Sequence, residues 1–142
     1  DRYGFAYYRE WVLILDGWSA GEQDGGGARL AELGIGNLKA QGAFARQPYW
    51  LSLLADLQAR EGRPAAASAT LDAALAAGHA YDDLWWLPEV MRMRAGYDPP
   101  EQAVARLRAA ADLASSHGSA ALARRCEDEL RTRGILTVHG AR

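Results

Sequence analysis

The residues that could do chemistry in this chain are few and scattered. Gly25-Gly26-Gly27 has the freedom of a phosphate-cradling loop, but such a loop needs a lysine followed by serine or threonine at the helix start, and none stands there. A turn between helices is the better reading of the three glycines. His79, His117 and His139 lie far apart, each near a glycine and a predicted helix end, where an imidazolium favours the negative end of a helix dipole. None has a second histidine, a cysteine or a carboxylate at metal-ligand spacing, so no metal site is read from them. Cys126 is the single cysteine and lacks a neighbour that would activate it as a nucleophile; a packing thiol is expected. Asp82-Asp83 could hold a cation, yet helix capping by Asp83 accounts for the pair more simply. In Arg124-Arg125-Cys126-Glu127-Asp128-Glu129, the i, i+4 spacing pairs Arg124 with Asp128 and Arg125 with Glu129 on a solvated helix face. With no acid–base pair, nucleophile constellation or metal set, the expectation is a non-catalytic protein without a cofactor.

Composition narrows the class. The chain has 142 residues, 49% hydrophobic and 24% charged, which suits one ordinary domain with a core of its own. A net charge of −2 makes no electrostatic case for direct nucleic-acid binding. No apolar run approaches the roughly 18 residues of a membrane span. One cysteine excludes an intrachain disulfide framework, and a reducing, cytoplasmic setting is expected. The chain opens at Asp1 without a methionine and reads as a fragment of a longer polypeptide.

The elements are helices throughout. Apolar residues recur at three- and four-residue spacing over 3–20 (Phe5, Tyr8, Val12, Leu15, Trp18) and 28–40 (Leu30, Leu33, Ile35, Leu38), with GEQDGGG as the turn between. Gly62 and Pro64 stop one helix, 48–61, and start the next, 64–77. Further helices are predicted over 83–95, 100–117 and 119–133. Asp83 and Ser119 serve as N-caps, Pro100 stands at a first position, and Gly118 closes a C-terminus. Pro88 either kinks the helix at 83–95 or starts it late, leaving Trp85 and Trp86 in the turn before it. No segment alternates with period two, so the class is all-α.

A period of 36 runs through these helices. Leu15, Leu51 and Leu87 coincide, as do Trp18, Leu54 and Val90. Gly26, Gly62 and Asp98 fall together at the turn. On the second helix of each unit Ala31, Ala67 and Ala103 coincide, then Ile35, Leu71 and Leu107, then Leu38, Ala74 and Ala110. A helix-turn-helix hairpin cannot bury its apolar face alone and stacks on the next. On this reading the alanines, with Ser19 and Ala55 on the first helices, are seams where helices approach closely, and the leucines fill the layers between hairpins; the alternative is an irregular antiparallel bundle, which also accommodates spaced alanines. The units run over about 12–47, 48–83 and 84–118, with a capping helix at 119–133, all in one domain over 1–134, and a tail follows at 135–142.

This pattern resembles the tetratricopeptide repeat, whose usual period is about 34 residues. The chain departs from it in its 36-residue period and in Met91, which takes the small-residue slot of the third unit. Gly17-Trp18, Glu22-Gln23, Arg46-Gln47-Pro48-Tyr49, Leu53-Leu54-Ala55, Trp85-Trp86, Glu101-Gln102-Ala103 and Leu122-Ala123-Arg124-Arg125 extend the likeness. Together they are similar to the C-terminal helical-repeat region of large bacterial predicted ATPases, among them LuxR-type transcriptional regulators. The resemblance implies a short right-handed superhelix in which the first helix of each unit lines a concave groove. The register then brings Tyr49, Ser52, Asp56 and Arg60 of the second unit, and Trp85 and Arg92 of the third, onto that groove as a partner-binding strip; in the alternative, Tyr49 and Trp85 pack between hairpins. The partner implied is a protein segment or another domain of the parent chain. The second functional reading is a small effector bound in the groove. ATP and DNA binding would belong to other parts of the parent.

Overall fold

The computed structural model describes residues 26–40 and 46–134. Six α-helices fill them: α1 (Gly26–Ala40), α2 (Gln47–Arg60), α3 (Pro64–Ala80), α4 (Leu87–Ala95), α5 (Pro100–Ser116) and α6 (Ala120–Thr132). The described residues contain no strand, and the chain is all-α. The helix expected over 3–20 and the tail at 135–142 lie outside the described residues. Gly26 and Gly27, read as turn, are the first two residues of α1.

The chain divides into two compact units, Asp1–Asp83 and Leu84–Arg142. In the first, α2 packs on both α1 and α3. The three-residue link between α2 and α3 makes them an antiparallel hairpin. Its turn is built by Gly62 at φ 77°, a left-handed conformation that glycine adopts without strain. The Arg63 N–H returns to the Gln58 carbonyl at 2.9 Å, satisfying an acceptor that the helix end leaves open. Across the hairpin the Thr70 hydroxyl donates to Gln58 Oε1 at 2.6 Å.

In the second unit α4, α5 and α6 pack pairwise. Ala95 meets Ala103 and Leu107, while Met91, four residues earlier, lies against Ala110 and Ala111. That descending order makes α4 and α5 antiparallel. Leu130, Cys126 and Leu122 of α6 meet Leu107, Ala110 and Ala114 of α5 in turn, so these two are antiparallel as well.

The alanine seams are interior. Ala31, Ala67 and Ala103, then Ile35, Leu71 and Leu107, then Leu38, Ala74 and Ala110 are all buried, none more than 4% exposed, and Ala55 is buried with them. A side chain that fills so little space lets two backbones approach, which is why alanine, and not leucine, stands there.

Pro88 starts α4 late. The helix begins at Leu87, with Trp85 and Trp86 in the turn before it. Asp83, expected to cap this helix, does something else: its carboxylate accepts the Arg46 backbone N–H at 2.9 Å, at the start of α2. Arg46 sits there at φ 63°, an uncommon conformation for a side-chain-bearing residue. Glu61 serves α1 in the same way, receiving the Ala28 N–H at 3.3 Å. Neither α1 nor α2 has an acidic residue in its own first turn. Both helices take the negative charge their N-termini favour from residues far along the chain.

Candidate functional site

The six strip residues divide between the units. Tyr49, Ser52, Asp56 and Arg60 lie on α2 in the first, and Trp85 and Arg92 lie in the second. At about 100° per residue, Tyr49, Asp56 and Arg60 share one stripe of α2, while Ser52 sits about 60° round from Tyr49. That rotation turns Ser52 inward. It is only 3% exposed, and its hydroxyl donates to the Tyr49 carbonyl at 2.7 Å, so it adds no free donor to a groove. Tyr49 is half-buried and meets the fully buried Trp50 edge-on, with ring centroids 5.2 Å apart. Asp56 and Arg60 form an ion pair on the exposed side of the helix.

Trp85 is 55% exposed and stands edge-on to Trp86, centroids 5.1 Å apart. Trp86 is the anchored member, packed on Ala114, Leu122 and Ala123. Arg92 is not an open charge. Its Nε and Nη2 fork onto the Glu89 carboxylate at 3.0 and 2.6 Å, and its Nη1 lies 3.5 Å from Glu129 of α6. The bonds to Glu89 hold the guanidinium pKa above its usual value against the opposing effect of burial.

This ion cluster was not read from the sequence. Glu89, almost fully buried, also holds Arg125 of α6 at 3.2 Å, and Glu129 also faces Arg133 at 3.5 Å. The i, i+4 scheme on α6 is therefore corrected: Arg125 turns to Glu89, and Asp128 pairs with Arg131. The legible signal was distance along the chain, since Glu89 and Arg125 are 36 residues apart, one period. Asp98 was missed in the same way. It is held between Arg94 Nη1 at 2.9 Å and Arg106 Nε at 2.7 Å, in the slot where the preceding unit has Gly62.

Cys126 is fully buried, with its sulfur 3.9 Å from the Pro88 carbonyl. Burial pushes the thiol up to about 11; Glu89 adds to the shift, and Arg92 and Arg125 oppose it. Among the described residues no group of three or more His, Cys, Asp or Glu side chains could hold a metal ion. No described helix is long and apolar enough to cross a membrane. His79 lies in the last turn of α3 and His117 caps the end of α5.

The fold and these surfaces define an all-α protein. No family model matches the chain, and no solved structure matches it. An uncharacterized protein of Rhizobium meliloti (strain 1021) is 31% identical over 133 residues, an alignment that covers 87% of this chain and 13% of that protein. The chain thus spans a small part of the relative's length.

Proposed function

We propose that this segment is a non-catalytic helical-repeat interaction module, tetratricopeptide-like in architecture, within a larger bacterial signalling ATPase or LuxR-type regulator of the cytoplasm. Its units follow the 36-residue register, form a short right-handed superhelix and end in a capping helix. The observation that carries the reading is the joint burial of three positions repeated at 36-residue intervals on α1, α3 and α5. Polar links about one period apart add support: Glu89 to Arg125, Arg92 to Glu129 and Arg46 to Asp83, separated by 36, 37 and 37 residues. The division of the chain after Asp83 also falls at a unit boundary of that register. The partner is a protein segment or another domain of the parent chain, met by exposed Trp85 and half-buried Tyr49, with the Asp56–Arg60 pair beside Tyr49 as a polar rim.

The test is calorimetric binding of the 142-residue chain to the remainder of its parent polypeptide. Trp85→Ala and Tyr49→Ala should each weaken binding about tenfold, or about 1.4 kcal/mol, as aromatic anchors do. No binding by the native chain, or equal binding by all three proteins, would remove the reading.

One observation favours effector sensing as a second reading. The Gln47 side-chain amide is buried, and among the described residues neither of its polar atoms has a hydrogen-bond partner; it stands two residues before Tyr49. Such a group is costly, and a polar effector reaching α2 would satisfy it. Gln47→Met should then abolish effector binding while leaving a protein partner's affinity unchanged.

A further inference from the structure

Every positive φ among the described residues falls on one of two slots of the 36-residue register. Gly62 and Gly134, both at 77°, stand 72 residues apart, while Arg46 (63°), Asp82 (54°) and Gly118 (75°) follow one another at intervals of 36. In the second slot Gly118 meets the backbone requirement without strain, since the left-handed region is open to glycine and crowded for a residue with a Cβ. A Cβ built at Gly118 would meet nothing within 4 Å, so that slot asks nothing of a side chain for packing.

The two earlier occurrences nevertheless carry charge. Arg46 and Asp82 are both exposed, and among the described residues neither side chain has a hydrogen-bond or ion-pair partner. Aspartate enters the left-handed region more readily than most residues; arginine does not share that tolerance. The two lie side by side at one end of the α2–α3 hairpin, because the Asp83 carboxylate accepts the Arg46 backbone N–H at 2.9 Å. Tyr81, 53% exposed, completes that end. Backbone strain kept for side chains that the fold itself does not use points to a contact outside the chain.

The surface that such an edge complements is its own copy. A cation and an anion held next to each other match themselves about a two-fold axis: Arg46 of one copy faces Asp82 of the other, and Asp82 faces Arg46 in return. The two Tyr81 rings then meet near the axis. We propose that this edge, made of Arg46, Tyr81 and Asp82, joins two copies of the chain in a weak, salt-sensitive two-fold dimer. Exposed ion pairs each contribute little, so the dimer forms at high concentration or where copies are already held close together. The inference uses residues of the first unit alone and does not rest on the groove or on its partner.

The test is sedimentation equilibrium of the intact chain at about 0.02–1 mM in low salt. The weight-average mass should climb towards twice that of the monomer at the upper end, and NaCl at about 0.5 M should weaken association at least fivefold. Arg46→Asp and Asp82→Arg each set like charges opposite one another, so each variant alone should remain monomeric. Mixed in equal amounts they should associate as the native chain does, because the mixed pair restores both contacts. Arg46→Gly and Asp82→Gly should weaken association at least fivefold without lowering the urea midpoint, since glycine suits the backbone there. A chain that stays monomeric throughout the range overturns the proposal. So does self-association indifferent to both charge reversals, or reversed variants that fail to associate when mixed. A lowered midpoint in the glycine variants would overturn it too, by showing that the side chains serve the fold.

Discussion

Between α2 and α3 the chain reverses in three residues, Glu61-Gly62-Arg63, and the reversal rests on backbone freedom at Gly62. Between α4 and α5 it takes four, Gly96 to Pro99, none with a positive φ. There the turn is held by the Asp98 carboxylate between Arg94 and Arg106. Gly62 and Asp98 are 36 residues apart and do the same job by different physics. Glycine accepts a conformation other residues resist, and loses entropy on folding in exchange. Aspartate needs no unusual backbone angle but must be desolvated, which only good ionic partners offset. The same contrast extends outward. Both units seal their helices with alanine and leucine, and the second adds arginine–carboxylate pairs between its helices.

This comparison makes its own tests. The largest effect is expected from Asp98→Ala, which should cost about 2–3 kcal/mol in urea unfolding. That is under the ~3–5 kcal/mol of a fully buried pair, since both arginines keep some water. An unchanged midpoint would mean that Asp98 does not hold the turn.

Ala67→Leu probes the other unit. It should cost about 1–3 kcal/mol by overpacking the α2–α3 seam, where no room exists for three more carbons. If the variant unfolds at the native midpoint, the seam is looser than its burial implies.

The third test is pH. The folded-state pKa of Cys126 is raised to about 11, so the native state holds its proton longer than the unfolded chain. That contribution is intact below about pH 9 and is lost as pH climbs towards 11, by up to about 2 kcal/mol. Glu89 and Glu127 oppose the thiolate, and Arg92 and Arg125 favour it. The readout is the difference in slope between the native chain and Cys126→Ala, which cancels tyrosine titration. Parallel slopes would show that the thiol is not coupled to folding.

The smallest effect belongs to Asp56→Ala. Its pair with Arg60 is exposed on both sides, so a loss of about 0.3–0.5 kcal/mol is expected. A loss several times larger would show that the stripe on α2 is structural, and would weaken its proposed part in binding.

Helix positions were legible because their signals are local. Pro64 and Pro100 begin α3 and α5, Gly62 and Gly118 sit past helix ends at positive φ, and Pro88 sets a late start for α4. The burial of Ala55, Ala67 and Ala74 followed from spacing alone, because a helix returns to the same face every three to four residues. The candidate site was legible only as a stripe. Spacing could place Tyr49, Asp56 and Arg60 on one side of α2, but not tell that Ser52, 60° away, lies in the interior, or that Arg92 is already engaged.

What the sequence could not decide is who partners whom. Asp83 caps α2 and not the helix that follows it, Glu61 caps α1, and Arg125 chooses Glu89 over Glu129. Each choice joins residues 33 to 37 positions apart. Helix formation depends on propensities and stop signals within a few residues, so the sequence determines it. An orphan amide or a long charged side chain takes whichever opposite charge the tertiary fold brings within reach, and several carboxylates along the chain are equally suitable until packing selects one.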